Sequence, residues 1–168
     1  MYQIHYRRWD NRIELISDEG ERKFLTHSIS SRPLISPNKS QALYLSPCEW
    51  ETYPNLYLIN LSTGENIGLI TSKDKQSVPK DTVWITDTCI AIIIGPMFDQ
   101  MNDGGNVFIL DLITRNLKQI TEWDYQIQAI KLKYYQGNLE LDCYEYVNGL
   151  KYECVEFKKK IAINLYIN

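Results

Sequence analysis

The chain has few of the residues that carry most enzyme chemistry. It has two histidines, His5 and His27, and its four cysteines form no C-x-x-C pair, so metal-ligand spacing is absent. No Gly-x-Ser-x-Gly segment exposes a serine nucleophile, and no glycine-rich phosphate-binding motif occurs. We therefore predict that neither histidine is catalytic, that no metal is bound and that no cofactor is used.

Long apolar runs and an excess of one charge are also missing. The longest apolar run, Cys89 to Ile94, has only the length of a strand, and residues 1–6 lack the hydrophobic region of a signal peptide. The formal net charge is −3, which gives no electrostatic reason to expect a nucleic-acid or membrane partner. Unless a leader has been removed, the sequence predicts a cytoplasmic protein with reduced cysteines.

What the chain does have is strand-forming residues and a repeat. Its 168 residues include 12 Tyr, 4 Trp and 4 Phe, with only 8 Gly and 6 Pro, a composition that favours strands. Residues 42–47 (ALYLSP) return as 91–96 (AIIIGP), and 55–63 (NLYLINLST) return as 106–114 (NVFILDLIT). An offset of about 50 residues is typical of solenoids, propellers and arrays.

The repeat predicts an all-β fold, a small propeller-like array of about four antiparallel four-stranded blades within one domain, 1–168. The units are approximately 1–30, 31–74, 79–121 and 122–168. The first unit shows only three strands, and a strand from the C-terminal region could complete it. The fourth is predicted to hold four strands: Ile127–Tyr134, Leu139–Val147, Leu150–Phe157 and Ile161–Ile167. Residues 72–80 are predicted to be a linker.

Two segments of the second unit resemble the blade repeat of TolB-type and WD40-like propellers. They are residues 35–44 (ISPNKSQALY) and 55–65 (NLYLINLSTGE). The third unit, with Gly104 to Phe108, is also similar to a bacterial family of unknown function built on such repeats. The chain departs from the pattern at residues 38–40 and 87–88, where the Asp-Gly-Lys turn is replaced. The resemblance implies a propeller fold whose repeat residues are structural rather than catalytic.

In the fourth unit, Asn148-Gly149 is a strong signal for a two-residue hairpin turn. That turn places Val147 opposite Leu150 and Cys143 opposite Cys154. The face predicted to be the more buried comprises Leu139, Leu141, Cys143, Val147, Leu150, Tyr152 and Cys154. Both cysteines are expected to remain reduced, because small buried thiols pack as apolar groups.

Acidic residues form three further patterns. Asp99, Asp103 and Gly104 imitate the start of a calcium-binding loop, but Met101 and Leu110 occupy two of the ligand positions. This segment is therefore predicted to be a polar loop without calcium. The carboxylate pairs Glu49 with Glu51 and Glu140 with Asp142 are interpreted as solvated surface groups rather than a general acid and base.

The loops between the second and third strands, 47–54 and 96–105, are the best candidates for a binding surface. Their candidate residues are Glu49, Trp50, Glu51, Tyr53, Phe98, Asp99, Met101 and Asp103. Exposed aromatic and methionine side chains are typical of interfaces, and an acidic rim suits a basic partner. The same side chains could instead cap their own blades.

We therefore predict a non-catalytic binding module with a protein partner. Two alternatives remain: a hydrolase-like enzyme with its site in the central channel, and an assembly module that forms a homodimer through its blade edges.

Overall fold

The computed structural model describes residues 1–49, 52–72, 77–97, 104–147, 153–163 and 166. Within these residues the chain forms fourteen strands in four antiparallel sheets and no helix, which confirms the predicted fold class. Accordingly, no membrane-spanning helix is found in this part of the chain. The strands divide between two compact units, Met1–Val78 and Pro79–Asn168.

The first unit holds two sheets. The first sheet comprises β1 (Tyr2–Arg7), β2 (Arg12–Ser17) and β3 (Arg22–Phe24), and the second comprises β4 (Leu34–Ile35), β5 (Gln41–Ser46), β6 (Asn55–Asn60) and β7 (Asn66–Ile70). A cluster around fully buried Leu15, Ala42 and Ile59 packs one sheet on the other. Neither sheet could bury its apolar face alone. Packing the two sheets together removes one apolar face of each from water.

The second unit repeats this plan. The third sheet comprises β8 (Val78–Trp84), β9 (Cys89–Gly95), β10 (Asn106–Asp111) and β11 (Leu117–Gln119), and the fourth comprises β12 (Ile127–Tyr135), β13 (Asn138–Tyr146) and β14 (Cys154–Ala162). Their shared core includes Ile93, Val107, Leu139 and Leu141. The predicted linker 72–80 is wrong at its end, since β8 already begins at Val78.

The repeated sequence signature holds the turn after each third strand. The side-chain oxygen of Asn60 accepts hydrogen bonds from the backbone N–H groups of Ser62 and Thr63 (2.8 and 3.2 Å). Asp111 does the same for Ile113 and Thr114 (2.8 and 2.9 Å), and these bonds lower the pKa of its carboxyl. The signature residues therefore have a structural role in both copies.

The first and fourth sheets lack different strands of the repeat. Asn11 and Thr26 align with Asn55 and Thr71 of the second repeat, so β1, β2 and β3 correspond to the second, third and fourth strands of a unit. In the fourth sheet, β12 follows Thr121 as β8 follows Thr71, so β12, β13 and β14 correspond to the first, second and third strands. Among the described residues, no strand lies on the edge of β14 that corresponds to the edges covered by β7 and β11 in the two complete sheets.

The four strands predicted for the fourth unit are wrong, because a single strand, β14, replaces the last two. The predicted two-residue hairpin is also wrong. Cys154 lies opposite Tyr146, and Cys143 lies opposite Phe157. The backbone N–H of Val147 donates to the carbonyl of Glu153 (2.9 Å), so residues 148–152, which include Leu150 and Tyr152 and lie outside the described residues, connect the strands.

The shift of three positions also reverses the faces of β14. Leu139, Leu141 and Cys143 are buried as predicted, but Cys154 is exposed. All four cysteines are free thiols. Burial raises the pKa of Cys143 to about 11.

Replacing Tyr146 with cysteine is expected to create a disulfide with native Cys154. The two positions face each other at a non-hydrogen-bonded pair, where Cα atoms lie about 4.5 Å apart, within the range that a disulfide spans. Mass spectrometry of a non-reduced digest of the oxidised variant would detect the cross-linked peptides. The wild-type chain is the control. A Cys143–Cys154 cross-link in it would contradict the observed register and support the predicted two-residue turn.

Candidate functional site

Of the eight candidate binding residues, Glu49 and Tyr53 are described. Trp50, Glu51, Phe98, Asp99, Met101 and Asp103 lie outside the described residues. Glu49 binds its own unit: Oε1 accepts a hydrogen bond from the backbone N–H of Ile29 (2.7 Å), and its carbonyl accepts one from the Thr52 hydroxyl (2.6 Å). Glu49 therefore anchors the base of the loop 47–54. Tyr53 is half-buried.

The base of the second candidate loop, 96–105, is fixed by very close packing of backbone. Gly105 and Ala129 exchange two backbone hydrogen bonds of 3.0 Å, which join the start of β10 to β12. A Cβ atom on Gly104 would lie 2.2 Å from the Ala129 carbonyl oxygen, and one on Gly95 would lie 2.1 Å from the Gly104 carbonyl oxygen. Only glycine permits this approach of three chain segments.

The buried side chain of Gln128 ties the same loop base to the following turn. Its Oε1 accepts a hydrogen bond from the backbone N–H of Gly104 (3.0 Å), and its Nε2 donates to the carbonyl of Tyr125 (2.9 Å). Gln128 is 4% exposed. A buried amide that satisfies one backbone donor and one acceptor makes this corner rigid.

Asn106 holds the other side of that turn. Its Oδ1 accepts hydrogen bonds from the backbone N–H of Trp123 (2.8 Å) and the hydroxyl of Thr121 (2.9 Å), while its Nδ2 donates to the Trp123 carbonyl (3.0 Å). The aligned Asn55 likewise accepts a hydrogen bond from the backbone N–H of Ser72 (2.8 Å). The repeat thus uses one asparagine to fix the chain that leaves each complete sheet.

Between these supports lies a cavity of about 170 Å³, which we call the Tyr125 cavity. Its lining residues are Ile94, Gly95, Pro96, Gly105, Asn106, Trp123, Asp124, Tyr125, Ile127 and Gln128. Tyr125 is 62% exposed at its mouth. Trp123 is half-buried, with the Lys159 ammonium 4.9 Å from the centre of its ring. The lining therefore includes apolar residues, the aromatic residues Trp123 and Tyr125, and the acidic residue Asp124.

Pro96 and Gly105, at the two ends of the predicted loop 96–105, line this cavity, but sequence reasoning missed the turn 123–125 and Gln128. The signal was the segment Trp-Asp-Tyr in a stretch that otherwise joins two predicted units. Two aromatic residues are unusual in an exposed connecting segment, which has no hydrophobic core for them to pack against.

Groups with displaced pKa values lie away from the Tyr125 cavity. Burial raises the pKa of Asp81, whose carboxylate accepts a hydrogen bond from the backbone N–H of Leu132 (2.7 Å). Burial also raises the pKa of Cys89 to about 11. The pKa of Glu14 is lowered: burial opposes ionisation, but hydrogen bonds from His5 and Arg7 outweigh it. Local burial or local hydrogen bonds account for each of these pKa shifts.

The other acidic candidates pair with exposed lysines, and neither histidine lies at the Tyr125 cavity. Glu140 pairs with Lys160 (2.7 Å), and Asp142 lies between Lys158 (3.6 Å) and Lys133 (3.9 Å). His5 lies 3.2 Å from Glu14, and His27 is exposed. Among the described residues, no group of three or more His, Cys, Asp or Glu is arranged to hold a metal ion.

No family model and no curated protein matches the chain. Solved structures do. A Clostridium novyi NT protein designated a conserved lipoprotein has a TM-score of 0.73 at 16% identity, over 82% of this chain and 90% of that one.

A prolyl endopeptidase structure gives a TM-score of 0.53 at 11% identity, with 88% of this chain and 25% of the other covered. The β-propeller domain of the trilobed protease from Pyrococcus furiosus, described as having an open velcro topology, gives 0.50 at 12% identity, with 95% and 53% covered. At these identities the similarity concerns the fold, and with the four antiparallel sheets it shows that the chain is an all-β protein with a propeller-like fold.

Proposed function

We propose that the chain is a non-catalytic binding module that recognises a protein partner at the Tyr125 cavity and the adjoining loop 96–105. The observation that carries this proposal is an exposed tyrosine at the mouth of a rigid, partly apolar cavity. Aromatic residues beside a pocket are typical of the residues that contribute most binding energy at protein interfaces. The loop 47–54 in the first unit is proposed for the same role.

The size of the cavity favours a protein side chain over a free small molecule. Its volume of about 170 Å³ is below the range of roughly 300–1,000 Å³ that is common for small-molecule sites. A single apolar or aromatic side chain of a partner would fill it. Because the walls are fixed by Asn106, Gln128 and the glycine contacts, little ordering is required when the partner binds.

Charge favours a basic partner. Asp124 lines the cavity, exposed Glu122 lies next to Trp123 in the chain, and the adjoining loop contains Asp99 and Asp103. These carboxylates would attract Lys or Arg residues that flank the inserted side chain. We further propose, from the motif residues at 35–44, 55–65 and 104–108, that the chain belongs to a bacterial family of unknown function with TolB-type and WD40-like repeats. We also propose that it acts in the cytoplasm.

The test uses a random-peptide display library selected on the purified chain. We expect the selected peptides to combine basic residues with one large apolar side chain. The variant Tyr125→Ser should bind such a peptide at least tenfold more weakly, about 1.4 kcal/mol, as measured by fluorescence polarisation.

Tyr135→Ser is the matched control, because Tyr135 is also 62% exposed and lies outside the cavity lining. It should bind the peptide as the wild type does. Failure to select any peptide, or equal losses in both variants, would contradict the proposal.

The loop residues Trp50 and Phe98 provide a second prediction. If each belongs to a binding surface of its own unit, Phe98→Ser should abolish binding of peptides that depend on Tyr125, and Trp50→Ser should abolish binding of peptides that do not. Both should leave the melting temperature nearly unchanged. Thermal unfolding followed by circular dichroism measures the second quantity. A collapse of stability would show that these side chains cap their own sheets and that they are not a binding surface.

A further inference from the structure

Within the part of the chain that the structure describes, the edge of β14 that faces away from β13 is the longest strand edge without the neighbour that the repeat would give it. β14 has nine residues, and among the described residues its only strand partner is β13. In the complete second and third sheets, the equivalent edges of β6 and β10 are covered by β7 and β11. An exposed edge of this length can pair with another strand.

The pairing pattern shows which backbone groups point outward. The register of β13 with β14 is uninterrupted, with Asn138 opposite Ala162 and Tyr146 opposite Cys154. At its two ends, Val147 N–H donates to Glu153 and Ile163 N–H donates to Gly137. Since hydrogen-bonded pairs alternate along an antiparallel ladder, the odd-numbered residues of β14 bond to β13. The even-numbered residues 154–162 therefore direct their N–H and C=O groups to the uncovered edge.

The side chains on β14 restrict how it could pair with itself. Suppose that two copies of β14 pair antiparallel about a twofold axis. Residues whose backbone N–H and C=O groups point to the uncovered edge must then lie opposite each other, because only these groups can form the new hydrogen bonds. Pairing about Lys158 or Lys160 places two lysines opposite each other, and pairing about Glu156 places two glutamates opposite each other. Pairing about Phe157 instead places Glu156 opposite Lys158 twice. Directly opposed unlike charges are favourable and like charges are not.

We propose that β14 pairs antiparallel with β14 of a second copy of this chain, centred on Phe157, to form a homodimer through a continuous sheet. Glu156 then lies opposite Lys158 of the partner subunit, and Cys154 lies opposite Lys160 of the partner subunit. The two Phe157 rings meet on the other face, where an aromatic cross-strand pair adds stability.

The lysines set the register of this edge. Lys residues on an edge strand normally oppose pairing with other chains, but only the arrangement centred on Phe157 gives Lys158 a carboxylate partner. Its present contact with Asp142 spans 3.6 Å at an 81% exposed side chain, so the ammonium can reach Glu156 of the partner subunit without loss of a buried contact.

The first test is sedimentation equilibrium of the wild-type chain over a range of concentrations. A mass that rises from one chain to two is expected, and a mass of one chain throughout would overturn the proposal. Lys160→Cys tests the register, because Cα atoms at a hydrogen-bonded pair lie about 5.5 Å apart. Oxidation should give a covalent dimer through native Cys154 on a non-reducing gel.

Within one chain the two sulfurs cannot meet, since six strand residues span about 20 Å. The double variant Lys160→Cys with Cys154→Ser is the control and should remain monomeric on the gel. A covalent dimer of this double variant would place Lys160 opposite itself and overturn the register.

Charge exchange gives the second test. Lys158→Glu should dissociate the dimer, because it places two carboxylates opposite each other, and Glu156→Lys combined with Lys158→Glu should restore it. Lys133→Glu is the matched control: Lys133 also contacts Asp142, at 3.9 Å and 60% exposed, but it lies on β12. It should leave the dimer intact. Equal dissociation by Lys133→Glu, or no rescue by the double exchange, would contradict the proposal.

Discussion

Replacing Gly105 with alanine is expected to destabilise the second unit by about 3 kcal/mol or more, at the upper end of the cost of overpacking. The added Cβ would lie 2.3 Å from the carbonyl oxygen of Ile94 and 2.6 Å from the Cα of Gly95. Both are backbone atoms, so relief requires β9 and β10 to separate. That movement would break the paired hydrogen bonds between Gly105 and Ala129. Urea unfolding followed by far-ultraviolet circular dichroism measures the change.

Gly68→Ala is the matched control for this prediction. A Cβ at Gly68 would meet only the Cγ2 atom of Thr71, at 3.3 Å, and a side-chain methyl can move by a few tenths of an ångström. The free energy of unfolding should change by less than about 0.5 kcal/mol, as at ordinary surface positions. If both variants lose the same stability, the close approach of β9, β10 and β12 is incorrect.

The fold class could be predicted because the repeat is a property of the sequence itself. The segments 55–60 and 106–111 form β6 and β10, and their last residues, Asn60 and Asp111, make equivalent turn contacts. Alternating burial on β13 was also predictable, since Leu139, Leu141 and Cys143 occupy every second position.

The register of β14 could not be predicted, because local turn chemistry and core packing disagree. A two-residue turn at 148–149 would place Lys158 opposite Leu139 and Glu156 opposite Leu141. The observed register places Ile161 opposite Leu139 and Phe157 opposite Cys143. Phe157 and Ile161 are half-buried against the core. Removing their apolar surface from water in part still contributes about 1–3 kcal/mol, so tertiary packing decides the register over the preference for a particular turn.

The Tyr125 cavity was hidden from sequence reasoning for a different reason. It is built from four segments, at 94–96, 105–106, 123–125 and 127–128, and no spacing rule joins them. The close packing of Gly95 against Gly104 and Gly105, and of Gly104 against Ala129 of β12, brings them together. The candidate loop 96–105 pointed to one wall of the cavity, while the turn that carries Tyr125 was treated as a connection.

Gln128→Ala is expected to lower the free energy of unfolding by about 2–4 kcal/mol and to weaken peptide binding, although it leaves every aromatic residue in place. The substitution removes the partner of the buried Gly104 N–H and of the partly buried Tyr125 carbonyl. A buried polar group left unsatisfied costs about 1–3 kcal/mol, and the lost packing of the Gln128 side chain adds to this cost. The turn 123–125 would lose one of its two fixed ends. Chemical unfolding and fluorescence polarisation with the selected peptide measure the two effects.

Gln119→Ala provides the comparison, because Gln119 lies on exposed β11 and donates one hydrogen bond, to the Thr121 carbonyl (2.7 Å). Water can replace that bond, so stability should change by less than about 1 kcal/mol and peptide affinity should not change. If Gln128→Ala lowers stability but not affinity, peptide binding does not depend on the shape of the Tyr125 cavity. Unchanged stability would instead mean that Gln128 does not connect the two segments.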